Sequence, residues 1–478
     1  MLFNSLDFAV FLPIVFVLYW FVFKTSLKLQ NLLIVLASYV FYGWWDWRFL
    51  SLILFSSVLD YVIGIYISQT TLPSKRKALL FTSVFFNIGL LGFFKYYNFF
   101  VDSFVSSFSF FGWTIQPNTL NIILPVGISF YTFQTLSYSI DIYRNKLQPT
   151  RNFIGFAAFV SFFPQLVAGP IERATHLLPQ FYNKRLFNYH KAVDGLRQIL
   201  WGMFKKVVIA DNCARYVNMI FDDYTSYSGS TLFLGVFLFA FQIYGDFSGY
   251  SDIAIGTARL FGFELKQNFA FPYFSRDVAE FWRRWHISLS TWFRDYVYIP
   301  LGGSQGSKLN QIRNVLIIFV VSGFWHGANW TFIVWGAINA LYFLPLLLFE
   351  RNRVHTDVVA AYRLLPSFKE VFKMGITFLL ILLSWVFFRA ESLSHALGYL
   401  WQMATDNFVS IPQMRPTYLF VLIFIFIIVE WLGRKQQYAI ELLWLQYPKV
   451  MRWGFYFCIA ILIFLYGGQE AAFIYFQF

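Results

Sequence analysis

Val315-Leu-Ile-Ile-Phe-Val-Val-Ser-Gly-Phe-Trp-His-Gly-Ala-Asn-Trp330 sets a histidine between two apolar runs, Val315–Phe324 and Trp330–Phe349. Roughly 20 apolar residues take a helix across the hydrocarbon core of a bilayer. Runs of the same kind recur at Phe8–Phe23, Leu50–Ser68, Leu79–Phe94, Leu120–Ile140, Leu232–Ile243, Phe372–Phe388, Tyr418–Trp431 and Trp453–Tyr466. Leu32–Tyr42 and Phe153–Val167 are shorter and suit tilted or re-entrant helices. The pattern predicts an all-α polytopic membrane protein with about ten to twelve passages. Residues 1–478 read as one integral-membrane domain, with no internal repeat, linker or appended soluble domain.

Composition agrees. Of 478 residues, 58% are hydrophobic and 13% charged, whereas soluble domains carry about 25% charged residues. That excludes an ordinary soluble enzyme. Aromatic residues reach 23%, a load that suits interfacial rings and bulky lipid-facing side chains. The net charge is +13. It lies in short loops between apolar runs, where a positive-inside bias and contact with anionic membrane lipid account for it without nucleic acid. Cys213 and Cys458 support neither a disulfide framework nor a cysteine-rich metal site. Asp7 precedes the first apolar run, and the first basic residues, Lys24 and Lys28, follow it. This order predicts no cleavable signal peptide and an outside N-terminus.

The middle of the chain differs from its flanks. Ile171–Lys206 holds seven Lys or Arg and Arg259–Arg313 holds eight. These stretches are too polar to span a bilayer and too aromatic to be free loops. They read as re-entrant or interfacial helices packed on the bundle. The functional core is expected at about residues 160–340. Within it, Ser275–Val297 places Val278, Phe281, Trp282, Trp285, Leu289, Trp292, Phe293 and Tyr296 at helical spacing, with charged residues opposite. This predicts one amphipathic helix, N-capped by Ser275, with its tryptophans at headgroup level and His286 at the edge of the apolar face.

An ionisable group at membrane depth is costly, so His326 is a functional candidate, and an unperturbed imidazole, titrating near neutrality, is the natural general base. Gly323 and Gly327 beside it suggest room for a substrate. A neutral histidine bonded to a neighbouring helix is the alternative. His286 stands beside Arg283 and Arg284, which favour its neutral form, suited to orienting a group; an interfacial histidine is the blander reading. Asp246 and Asp252, in Tyr244-Gly-Asp-Phe-Ser-Gly-Tyr-Ser-Asp252, suit either a bound cation, proton or basic side chain, or pairing with the arginines of the basic middle. Ser248 lacks the spacing of a nucleophile elbow. There is no P-loop, dinucleotide fingerprint, H-E-x-x-H or D-x-D, and the histidines do not pair at metal-ligand spacing, so no metal is expected.

Four blocks carry a resemblance: Phe162-Phe-Pro-Gln-Leu-Val-Ala-Gly-Pro-Ile-Glu-Arg173; Tyr244 to Asp252; Phe281-Trp-Arg-Arg-Trp-His-Ile-Ser-Leu-Ser-Thr-Trp-Phe-Arg-Asp-Tyr-Val-Tyr-Ile-Pro-Leu-Gly-Gly303; and Gly323-Phe-Trp-His-Gly327. In this order they resemble the membrane-bound O-acyltransferase family. The opening Met1-Leu-Phe-Asn-Ser-Leu-Asp-Phe8 and the overall length are most similar to its bacterial alginate O-acetyltransferase branch. The resemblance implies a helical bundle around a central tunnel, His326 as the near-invariant histidine, and His286 as the second signature position. It implies a multi-pass protein of the bacterial inner membrane. Such an enzyme moves an acyl group, acetyl by branch, from a cytoplasmic thioester of coenzyme A or of a carrier-protein phosphopantetheine. The acceptor is a hydroxyl of an extracytoplasmic polysaccharide or of a partner protein. On this reading His326 is the base, and His286 orients a reactant or stabilises the developing charge. Arg283, Arg284 and Arg294, with Trp325, Asp246, Ser248 and Asp252, are the candidate substrate or donor contacts. No bound cofactor is expected. Expected partners are membrane lipid, an acyl carrier protein and a separate extracytoplasmic acyl-transferring protein. A transporter or scaffold without chemistry, and a polytopic glycosyltransferase, are the competing readings.

Overall fold

The computed structural model describes residues 1–110, 119–167, 169–467 and 473–474. Among them the regular structure is helical throughout. Among the described residues, six segments are long and apolar enough to cross a membrane: Leu27–Gln69, Pro73–Ser109, Gly229–Leu260, Trp330–Leu348, Phe368–Arg389 and Lys449–Tyr466. Leu6–Val22, Phe153–Leu166 and Thr417–Gly433 are shorter apolar helices. The protein is a multi-pass membrane protein. Two of the expected passages are shaped by burial against protein. Leu120–Ile140 becomes an irregular lead-in and the helix Ile128–Tyr143, whose side chains are almost all buried in protein. Val315–Phe324 lies inside Lys308–His326, which begins with Lys308, Asn310, Gln311, Arg313 and Asn314. Apolar runs report burial, and the burial here is partly against protein.

The chain forms two compact units. One comprises Met1–Ala192 and Ala258–Leu265, the other Val193–Thr257 and Lys266–Phe478. In the first, Leu50–Gln69 packs on Pro73–Leu91 and Ile128–Tyr143. Asp60 is fully buried among these helices. It accepts hydrogen bonds from Ser83, from Ser139 Oγ at 2.6 Å and from Asn87 Nδ2 at 2.7 Å. Three donors replace the water that a buried carboxylate gives up.

The second unit holds both signature histidines. Lys308–His326 and Trp330–Leu348 form a tight helical hairpin. Asn329 caps the second helix by accepting from Thr331 N–H at 3.0 Å. The two helices touch through glycines: a Cβ on Gly323 would lie 2.2 Å from Phe332 O, and one on Gly336 2.4 Å from Phe319 O. A Cβ on Gly327 would lie 2.1 Å from the Phe332 ring. The glycines beside His326 therefore admit a neighbouring helix, not the substrate expected from the sequence.

The stretch Ser275–Val297 is broken, against the expectation of one amphipathic helix. Val278–Arg284 is capped by Asp277, not Ser275, and Ile287–Phe293 follows as a separate helix. Between them Trp285 is extended and His286 is left-handed at φ 45°. The break has a backbone cause. Ala270 N–H donates to Arg284 O, and Ile287 N–H donates to Asn268 O, both at 2.9 Å. The preceding segment thus takes groups that a continuous helix would pair internally. Trp285 and Trp292 are buried in protein.

Candidate active site

His286 closes the break. A left-handed non-glycine residue costs about 1–3 kcal/mol and persists where its surroundings enforce it. The ring is 1% exposed. It lies edge-on to Phe247 at 4.6 Å and near Phe269 at 6.3 Å between ring centroids. Its Nδ1 is 3.1 Å from Asn268 Oδ1. That oxygen also accepts from Ser288 N–H at 3.2 Å and from Ser288 Oγ at 2.9 Å. Burial pulls the His286 pKa down to about 3, so the imidazole is neutral. Its Nε2 is buried and has no hydrogen-bond partner among the described residues.

His326 ends the helix Lys308–His326 and is 4% exposed. Trp325, Trp335 and Phe388 surround it at 4.9, 5.2 and 5.3 Å. The His286 and Trp325 ring centroids are 6.1 Å apart. One indole therefore touches both histidine rings, and the structure brings together three of the predicted residues, His286, Trp325 and His326. Trp335 adds a group the sequence reading missed. Its indole N–H is buried, and no described residue accepts it. Indole nitrogen is a donor only, so Trp335 offers an unused donor beside His326. Trp282 N–H is unpartnered in the same way, with its ring 5.5 Å from Trp335.

A cavity of about 240 Å³ lies in this unit, lined by Trp282, Phe319, Ser322, Phe343, Asn352 and Arg353 among others. Val315, Ile318, Phe319 and Ser322 form its wall on one face of Lys308–His326. His326 continues that face, four residues beyond Ser322.

The remaining predicted contacts are engaged within the protein. Arg283 donates to Asn352 O and His355 O, both at 2.6 Å. Arg284 pairs with Glu280 at 2.9 Å, and exposed Arg294 with Asp295 at 2.7 Å. Asp252 meets Lys205 Nζ at 2.6 Å and Gln198 Nε2 at 2.8 Å. Asp246 meets Lys206 Nζ at 2.8 Å and accepts Ile474 N–H at 2.7 Å. The partners of the two aspartates are lysines, where the sequence suggested arginines. Ser248 Oγ donates to Tyr244 O at 2.6 Å. Ser248 and Asp252 do share a small polar cleft with Lys205, Ser251, Asn268 and Glu430. Among the described residues no three His, Cys, Asp or Glu converge as a metal site.

Asn268 and Arg353 escaped the sequence reading. Asn268 is a short polar residue in an aperiodic segment, 18 positions from His286. The available signal was chemical, because a buried histidine needs a partner for its second nitrogen.

Comparison with known proteins fits this geometry. The family model for the membrane-bound O-acyltransferase family matches residues 147–388, which contain both histidines, Asn268 and the cavity. The chain is 43% identical to the probable alginate O-acetylase AlgI of Pseudomonas aeruginosa, over 84% of this chain and 74% of that protein. It is 37% identical to the peptidoglycan O-acetyltransferase of Helicobacter pylori, over 87% and 82%. It is 29% identical to the teichoic acid D-alanyltransferase of Streptococcus thermophilus, over 56% and 69%.

Proposed function

We propose that this chain, which belongs to the membrane-bound O-acyltransferase family and is an O-acetyltransferase, carries acetyl from a cytoplasmic thioester to a hydroxyl of an extracytoplasmic polysaccharide. The observation that carries this reading is the buried pair His286 and His326 on either side of Trp325. Relatives named for alginate, peptidoglycan and teichoic acid support an envelope glycan as acceptor. A cytoplasmic thioester and an outer glycan would call for a bacterial inner membrane, and a partner protein that completes the transfer outside is compatible with this reading. A transporter or a glycosyltransferase loses its ground once the chain is an O-acetyltransferase.

The site supports the following course. His326 takes the proton from the acceptor hydroxyl as its oxygen attacks the thioester carbonyl. The tetrahedral intermediate collapses, the carbon–sulfur bond breaks, and the imidazolium returns its proton to the departing thiolate. The products are an acetyl ester and a free thiol. His286, with Nδ1 engaged and Nε2 bare, accepts a hydrogen bond from a second hydroxyl of the acceptor sugar and so orients the reacting one. It has no N–H left for an oxyanion, so charge stabilisation passes from His286 to the unused indole donor of Trp335. The 240 Å³ cavity along the His326 face takes the thioester arm, with Arg353 at its lining for a donor phosphate. Arg353 replaces Arg283 and Arg284 in that role, because their guanidinium groups are already bonded.

The test is to express the chain in a host lacking the gene and measure ester-linked acetate on isolated extracellular and wall polysaccharides. A gain in one pool identifies the acceptor; no gain in any pool sinks the polysaccharide reading. Within this assay, Trp335→Phe keeps an aromatic ring, smaller than the indole, and deletes the donor. Loss of one such donor costs about 10²- to 10³-fold in rate elsewhere, and a loss of at least tenfold is expected here. An unchanged rate would remove Trp335 from the mechanism.

A further inference from the structure

We propose that Asn268 is a positioning residue for acetyl transfer: it holds His286 in the tautomer that carries its proton on Nδ1 and leaves Nε2 as a buried acceptor. The inference rests on the transferase reading of the His286–His326 site, and on geometry that the two histidines alone do not explain.

The tautomer follows from which groups can only donate. Asn268 is fully buried. Its Oδ1 takes the Ser288 backbone N–H at 3.2 Å. An amide N–H has no acceptor capacity, so the atom facing it is the carboxamide oxygen and the side chain is not flipped. The other end agrees, because Nδ2 donates to Ser251 Oγ at 3.2 Å. The same oxygen faces His286 Nδ1 at 3.1 Å. Two acceptors do not bond to each other, so Nδ1 carries hydrogen. A neutral ring has one N–H, which leaves Nε2 with its lone pair.

Asn268 also fixes where the ring stands. Its backbone carbonyl accepts Ile287 N–H at 2.9 Å, and its side chain holds Ser288. The residues after His286 are thus pinned to Asn268 through both main chain and side chain. These bonds hold the left-handed turn at φ 45°. One residue therefore sets the protonation pattern, orientation and backbone of the second histidine.

Asn268→Asp and Asn268→Leu separate this role from packing. Aspartate presents the same acceptor to Ser288 and to His286 Nδ1–H; leucine has similar bulk and no acceptor. Both are read as ester-linked acetate deposited per folded molecule, with folded protein counted by size-exclusion in detergent. The expected result is that Asn268→Asp stays within a few-fold of wild type. Asn268→Leu falls about 10- to 100-fold, by analogy with the range found when the orienting partner of a metal-ligating histidine is removed. A packing role predicts the reverse order, because a buried carboxylate is worse tolerated than leucine. Leucine equal to or better than aspartate overturns the proposal, and so does wild-type activity in His286→Ala. Where His286→Ala retains measurable transfer, adding Asn268→Leu is expected to cost less than twofold; a full second loss overturns it. His326→Ala run alongside tells the two readings apart. Wild-type transfer in that variant ends the His326 base reading, while the aspartate–leucine order still decides the role of Asn268.

Discussion

His326→Ala lowers acetyl transfer by about 10²- to 10⁴-fold, the contribution of a positioned general base, while the protein inserts and accumulates as before. The expectation rests on the cage around the ring. Trp325, Trp335 and Phe388 hold the imidazole at ring distances of 4.9 to 5.3 Å. Two of them also pack on each other, with Phe388 5.1 Å from Trp335, and Trp335 stacks on Trp385 at 5.8 Å. Loss of one ring leaves those contacts in place. His326→Gln fills more of the vacated space and keeps a polar group, yet supplies no base, so it is expected to be as inactive as alanine. The measurement is ester-linked acetate per folded molecule in the host lacking the gene. Transfer at the normal rate in either variant would make His326 structural and move proton abstraction to the bare Nε2 of His286.

What was legible in the sequence divides along physical lines. Apolar runs announced a helical membrane protein, because burial selects the same residues whether lipid or protein covers them. That same indifference hides what covers a run: Ile128–Tyr143 is apolar for packing inside its own unit. His326 and His286 stood out because ionisable groups are expensive in such surroundings. Their common neighbour Trp325 could be read from adjacency to His326. Asn268 could not, since its role is a contact across 18 residues made through a broken helix. Periodicity over Ser275–Val297 was real, but it followed the buried faces of two seven-residue helices, and no periodic signal encodes the left-handed turn between them. The basic residues needed the structure for a related reason. Composition marks a charge as present; the structure shows Arg283 and Arg284 spent on carbonyls and Glu280, while Arg353 lines the cavity.

Gly323→Ala removes most of the activity by a different route, through the backbone that aims His326. A methyl at this position would meet Phe332 O at 2.2 Å and Gly336 Cα at 3.2 Å. Both obstacles are main chain, so no side chain can swing aside. Overpacking costs about 1–3 kcal/mol when neighbours can adjust, and here the hairpin itself must part. Gly323 lies three residues before His326 on the same helix. A shift of about 1 Å at a reacting group can cost 10²-fold, so transfer is expected to fall at least tenfold, with a lower melting temperature in detergent. Gly375, in the helix Phe368–Arg389, supplies the opposite case. A Cβ there meets nothing within 4 Å, and alanine exceeds glycine in helix propensity by about 1 kcal/mol. Gly375→Ala should therefore leave transfer intact and raise the melting temperature slightly. The same chemical change then has opposite signs at two glycines of one unit. Equal, small effects at both would show that the hairpin yields to a methyl group and that its close approach does not hold His326 in register.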